Sequence, residues 1–207
     1  MLRIGALVSG GGTNLQAIID AINNGFIPDA KIEIVISNKT SAFALDRAHK
    51  AGITTRVIKR KKFVSSESFD VALSEELGSH RVDLVLLAGF MAILGPQFFT
   101  HFENKVMNVH PALIPAFSGP GYYGLKVHEA VLNYGCKVSG ASVHFVTAEV
   151  DAGPLILQKA VDVHPDDSPE ILQKRIMEEA EWQIYPDAVR LFAQGRLHVE
   201  GRQVIIG

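Results

Sequence analysis

The stretch Leu2-Arg3-Ile4-Gly5-Ala6-Leu7-Val8-Ser9-Gly10-Gly11-Gly12-Thr13-Asn14-Leu15-Gln16-Ala17-Ile18-Ile19 decides the fold. An apolar run over residues 4–8 stops at a serine and three glycines, and apolar residues then return at helical spacing over 15–22. Strand, glycine loop and helix in that order open a parallel α/β sheet.

The same alternation continues outward from this unit. Strands are expected over 32–36, 55–58 and 84–87, with helices over 42–51 and 69–77 between them. Ile32-Glu33-Ile34-Val35-Ile36 and Leu84-Val85-Leu86-Leu87 are nearly free of polar residues, as central parallel strands covered on both sides must be. A strand over 106–109 leads into Pro111, Pro115, Gly119, Pro120, Gly121 and Gly124, which neither a helix nor a central strand tolerates, so a long loop follows. Two more strands, 139–146 and 155–161, flank a polar loop over 147–153. A helix is expected from about Pro169, with Pro186 kinking or dividing it, and 197–205 reads as a hairpin turning at Glu200-Gly201. No repeat, low-complexity tract or linker interrupts the chain. The expectation is one α/β domain over 1–207: an open, mostly parallel, twisted, Rossmann-like sheet with helices on both faces, a C-terminal helix and a short hairpin.

A formal charge of −2, from 20 basic and 22 acidic residues, supplies no field that would gather nucleic acid or an anionic membrane. The expected partner is a small molecule. Cys136 is the one cysteine, which rules out an internal disulfide, and the N-terminus lacks the layout of a secretory signal. No apolar run reaches the roughly 18 residues of a membrane span. A cytoplasmic protein, monomer or homodimer, is the expectation.

Gly11, Gly12, Thr13 and Asn14 lie where a strand end meets a helix N-terminus. Glycines there let backbone N–H groups approach an anion, and the helix dipole favours it. The dinucleotide fingerprint G-x-G-x-x-G fails at Leu15, and the Lys-Ser/Thr pair of a P-loop is absent, which leaves a plain phosphate cradle. Thr13 with Gln16 also matches a capping box, a purely structural way to begin the helix.

In an open parallel sheet, ligands gather beyond the carboxyl ends of the strands, which is where Asn108-Val109-His110-Pro111 falls. Alternation points Asn108 and His110 to one side. An amide donor beside an imidazole suits acyl transfer, the amide hydrogen-bonding an oxyanion while the histidine moves a proton. Asp151, followed by Gly153 and Pro154, is placed to orient a histidine, its alternative role being a loop cap. His128, His144 and His164 form no recognised ligand set, so no metal is expected. Cys136 has no evident base partner, and the basic run 59–62 reads as a solvated loop.

Four ordered motifs carry a resemblance: Ser9-Gly10-Gly11-Gly12-Thr13-Asn14-Leu15-Gln16-Ala17, Ala88-Gly89-Phe90-Met91, Asn108-Val109-His110-Pro111-Ala112-Leu113-Ile114-Pro115, and Gly140-Ala141-Ser142-Val143-His144-Phe145-Val146 leading to Asp151-Ala152-Gly153-Pro154. Together they closely resemble the folate-dependent phosphoribosylglycinamide formyltransferases, from the first strand to the last hairpin. The resemblance implies formyl transfer from 10-formyltetrahydrofolate to 5-phosphoribosylglycinamide in purine synthesis, with no metal. It implies catalytic roles for Asn108, His110 and Asp151, the first two stabilising the tetrahedral oxyanion and Asp151 holding the imidazole and carrying protons through water. It implies ribonucleotide contacts from Gly11, Gly12, Thr13 and Asn14 and from a glutamate of the late helix. That helix reads one residue longer than the family pattern, so both Glu178 and Glu181 are candidates. Folate contacts are implied for Ser66, Met91, Ala92, Ile93, Leu94 and Asn108 and for Thr147, Ala148, Glu149 and Val150. The halves would divide near residue 100, phosphate-binding before it and folate-binding and catalytic after it.

The chain departs from the family in two ways. Ala92 stands where arginine is frequent, and no arginine stands near Ser66, so folate-tail contacts must differ. Residues 118–124 resemble an insertion in a shorter Pro-Gly turn. Among rival readings, a formyltetrahydrofolate hydrolase is expected to carry an N-terminal regulatory domain and to lack a phosphate loop. A methionyl-tRNA formyltransferase is expected to carry a C-terminal barrel and more basic charge. A non-catalytic sugar-phosphate-binding module leaves Asn108, His110 and Asp151 together without explanation.

Overall fold

In the computed structural model, which describes Met1–Gly207, the opening stretch forms strand β1 (Leu2–Val8), turns through the glycines and continues as α1 (Thr13–Asn23). The chain divides into two compact units, Met1–Asn108 and Val109–Gly207.

The first unit continues through β2 (Ala30–Ser37), α2 (Phe43–Lys50), β3 (Thr54–Val57), a 3-10 turn at Arg60–Lys62, α3 (Ser66–Ser79), β4 (Leu84–Ala88), α4 (Pro96–Phe99) and β5 (Val106–His110), the strand within which the division falls. Its strands run in the order β3-β2-β1-β4-β5, and all four pairings are parallel. Ile4 to Val8 in β1 and the whole of β4 are buried, apart from the glycine the core residues of both strands being β-branched or leucine and alanine side chains that a sheet covered on both faces requires. The order is built outward from β1 in one direction and then restarts at β4 in the other. The carboxyl ends of β1 and β4 therefore flank a topological switch point, where neighbouring connections leave in opposite directions and open a crevice.

The second unit holds α5 (Leu125–Tyr134), β6 (Val138–Phe145), β7 (Leu155–Asp162), α6 (Pro169–Ile176), a π turn at Met177–Glu181, α7 (Trp182–Ala193), β8 (Leu197–Glu200) and β9 (Gln203–Ile206). β6 and β7 pair antiparallel, β7 meets β9 in parallel, and β8 and β9 form the closing hairpin. Val143, Phe145, Leu172, Ile176, Tyr185 and Val189 are among its buried core residues. No helix is long and apolar enough to cross a membrane.

Two local expectations are corrected. The capping box at the start of α1 does not form: Gly12, in the left-handed region at φ 73°, is the N-cap, and the Gln16 side chain instead bonds Asp20 and Arg47. Pro186 does not divide the late helix. It sits inside α7, and the break lies earlier, at Met177–Glu181. The reason is local: Trp182, four residues before the proline, has ψ −6°, which swings its carbonyl out of the position where it would meet the pyrrolidine ring.

Candidate active site

In the first unit the glycine loop begins at Ser9, which is 4% exposed. Its hydroxyl donates to Asn38 Oδ1 at 2.7 Å and accepts from the Met91 backbone N–H at 2.8 Å. One side chain thus ties the end of β1 to the segments that follow β2 and β4. Gly12 is fixed by contact as well as by its φ: a Cβ here would lie 2.5 Å from Ala44 Cβ and 2.8 Å from Ala44 Cα. Only glycine lets α1 begin this close to α2. Gly12 is buried, whereas Gly11 is exposed and Thr13 and Asn14 are half-buried at the head of the helix.

The residues implied for folate in this unit fall in the segment after β4. Met91 and Ile93 are 49% and 73% exposed, whereas Leu94 is buried. The segment is pinned at Met91 by Ser9 and at Gly95 by Asp70, whose Oδ2 accepts the Gly95 N–H at 2.9 Å. Burial pushes the Asp70 carboxyl above its ordinary range, against the Gly95 N–H and the nearby Arg60. Ser66 opens α3 and is exposed, and its hydroxyl accepts from Arg60 Nη2 at 3.1 Å. A guanidinium thus does lie against Ser66, that of Arg60 six residues upstream. The basic run 59–62 lies by an open depression of about 670 Å³, with Lys59, Lys62, Phe63, Glu75 and Glu76 in its walls and none of the site residues.

β5 carries Asn108 and His110 one residue apart and so on one side of the strand, Asn108 ending the first unit and His110 standing in the second. In the second unit His110, His144 and Asp151 come together. Asp151 Oδ2 lies 3.5 Å from His110 Nδ1 and its Oδ1 lies 3.7 Å from His144 Nε2, and all three side chains are 10% exposed or less. The other nitrogen of each ring faces a backbone carbonyl, His110 Nε2 that of Phe117 at 2.8 Å and His144 Nδ1 that of Phe145 at 2.9 Å. A carbonyl only accepts, so both of those nitrogens carry hydrogen. Burial lowers the His144 pKa, against the Phe145 carbonyl and the Asp151 charge, and favours a neutral ring whose bare Nε2 faces the carboxylate.

The loop geometry that presents Asp151 is constrained. Asp151 has φ 53°, a left-handed conformation that aspartate adopts more readily than most residues. Two residues on, a Cβ at Gly153 would fall 1.8 Å from the Phe145 carbonyl oxygen, so this loop crosses the end of β6 at a distance only glycine permits. Phe117, at φ 48°, and Gly119 cover the pair from the long loop, the Gly119 N–H donating to Asp151 Oδ2 at 3.0 Å. Ser142, fully buried on β6, anchors the start of that loop: it donates to the Ala112 carbonyl at 2.6 Å and accepts the Ile114 N–H at 3.0 Å.

Thr147, Ala148 and Glu149 are exposed in the same loop as Asp151, and Val150 is half-buried. Glu181, in the π turn, is 6% exposed, whereas the Glu178 side chain is 48% exposed and faces Lys174 at 3.8 Å. The structure thus separates the two candidates. The sequence reading missed His144 as a partner of Asp151, the Phe117 carbonyl and Arg47. His144 lay within a quoted motif, but nothing in a strand pattern distinguishes an inward histidine that meets a carboxylate from one that fills core.

The formyl transferase family model matches residues 2–189. The chain is 44% identical over 200 residues to phosphoribosylglycinamide formyltransferase of Haemophilus influenzae, covering 97% of this chain and 91% of that one. It is 43% identical over 196 residues to the enzyme of that name from Escherichia coli, covering 95% and 89%. The crystal structure of glycinamide ribonucleotide transformylase 1 from Symbiobacterium toebii matches with a TM-score of 0.94 at 48% identity, over 100% of this chain and 94% of that one. With this extent of similarity over a sheet whose switch point carries the glycine loop, the chain belongs to the formyl transferase family.

Proposed function

We infer that this enzyme transfers the formyl group of 10-formyltetrahydrofolate to the primary amine of 5-phosphoribosylglycinamide, releasing tetrahydrofolate and the N-formyl ribonucleotide, a step of purine synthesis. The observation that carries the reading is the His110–Asp151 pair, 3.5 Å apart with both side chains 10% exposed or less, in a chain so similar along its length to phosphoribosylglycinamide formyltransferases.

The amine attacks the formyl carbon, the C=O electrons move onto oxygen, and collapse expels the folate nitrogen. Overall the amine loses one proton and the folate nitrogen gains one. The Asn108 amide and a His110 N–H are the donors for the oxyanion, a role in which a preorganised donor contributes about 2.7–4 kcal/mol. His110 Nε2–H donates to the Phe117 carbonyl, whose place as acceptor the formyl oxygen takes. Asp151 orients His110 from the other side and passes the proton. Glycine-loop N–H groups hold the ribose phosphate, Glu181 holds the glycinamide amine end, and the segments 91–94 and 147–150 read the pterin through backbone groups.

Absorbance of released tetrahydrofolate, followed with and without the ribonucleotide, tests the reading. Release that depends on the ribonucleotide is expected. Release without it identifies a hydrolase, and ribonucleotide binding with no release identifies a non-catalytic module.

A further inference from the structure

Arg47 stands on α2 with its guanidinium turned to the glycine loop and no carboxylate paired with it. Nε donates to the Gly11 carbonyl at 2.8 Å, Nη1 to Gln16 Oε1 at 3.3 Å, and the cation lies 5.1 Å from the centre of the Phe43 ring. The Ala44 N–H, one turn earlier, donates to the Gly10 carbonyl at 3.0 Å. Successive carbonyls of the loop are thus drawn to α2. A trans peptide sets its N–H opposite to its C=O, so the N–H groups of Gly11 and Gly12 turn to the other side together. Left-handed Gly12 followed by helical Thr13 continues the turn into α1, and consecutive N–H groups arranged this way make a concave receptor for an anion.

We propose that Arg47 is a positioning residue for the substrate phosphate, holding the Gly11 carbonyl so that the Gly11 and Gly12 N–H groups face the anion and adding an unneutralised positive charge behind the loop. The proposal rests on the formyl-transfer reading for the identity of the substrate, and on the loop geometry alone for the phosphate. Guanidinium geometry matters because its planar fork reaches the carbonyl through Nε and Gln16 through Nη1, a fixed pair of directions that the single nitrogen of an ammonium does not reproduce.

The experiment compares wild type, Arg47→Gln and Arg47→Lys with 5-phosphoribosylglycinamide and with its dephosphorylated nucleoside, alongside thermal melts. For Arg47→Gln the KM for the ribonucleotide is expected to rise roughly 10- to 100-fold, the range of a lost charge-assisted contact. The KM for the formyl donor, the kcat at saturation and the weak activity on the nucleoside should stay within about twofold. Arg47→Lys should fall between, restoring charge without the fork. An unchanged ribonucleotide KM, or an equal loss on nucleoside and ribonucleotide, overturns the proposal. If Arg47→Gln fails to fold, Arg47→Lys decides: a ribonucleotide KM equal to that of wild type overturns it, and a selective rise supports it. Wild-type protein with no ribonucleotide-dependent release defeats the formyl-transfer reading instead, and ribose 5-phosphate binding by calorimetry then tests Arg47 separately, weaker binding in Arg47→Gln supporting it and equal binding overturning it.

Discussion

His110 and Asp151 stand together, and both lie outside the glycine loop, so removal of either should separate turnover from binding. His110→Ala and Asp151→Ala are each expected to lower kcat by about 10²- to 10⁴-fold, the usual worth of a positioned acid or base. Calorimetric affinity for the ribonucleotide should change little, and loss of binding along with activity would contradict this division of roles. His128, on α5, makes a different prediction. It is fully buried, neither ring nitrogen has a hydrogen-bond partner, and burial, with a smaller push from His110, lowers its pKa from 6.5 to about 4. Unfolded chains take up this proton near 6.5 and folded ones only near 4, so the contribution is present above 6.5 and drains away as pH falls through that window. Urea titrations at pH 7 and pH 4.5 should show a loss that His128→Leu reduces by roughly 2–3 kcal/mol. A slope that is the same in both proteins would show that His128 is not its source.

At the scale of elements, the close approach of α1 and α2 and the π turn each carry a consequence. Gly12→Ala would set a methyl against Ala44 and strain a left-handed residue, at a cost of about 1–3 kcal/mol, and should weaken ribonucleotide binding at least tenfold as the loop moves. Melting curves and calorimetry check both. The π turn at Met177–Glu181 closes rings one residue larger than an α turn. It leaves Glu181 buried and Glu178 outside, so Glu181→Gln should raise the KM for the ribonucleotide about tenfold or more while Glu178→Gln leaves it near wild type. Equal effects would remove the distinction. Most of these elements were legible because buried parallel strands are nearly all apolar, as β4 and the Ile34–Ile36 core of β2 are. α5 was not, because His128 occupies a core position between Val127 and Val131 and breaks the apolar pattern directly after a glycine-rich loop. The position of Pro186 was misread for a related reason: a single ψ angle at Trp182 decides whether the ring fits, and no composition rule encodes it.

For the whole molecule, the sequence order of motifs pointed to the glycine loop, Asn108, His110 and Asp151 because they fall in or beyond the carboxyl-terminal parts of strands, the loop after β1, Asn108 and His110 in β5 and Asp151 in the loop after β6, and strand ends are where a parallel sheet gathers its chemistry. What it could not give was side-chain company: Arg47 behind Gly11 joins residues 36 apart in the chain, and a strand pattern does not say that His144 meets Asp151 rather than filling core. The strand order has one more effect. Each unit has an edge strand four residues long, β3 in the first and β8 in the second, and both carry charge, Arg56 on one and Glu200 on the other. A sheet that terminates in short charged strands offers a poor template for another chain to extend, so concentrated solutions of the protein should resist fibril-like growth even though its central strands, once unfolded, are apolar enough to seed it.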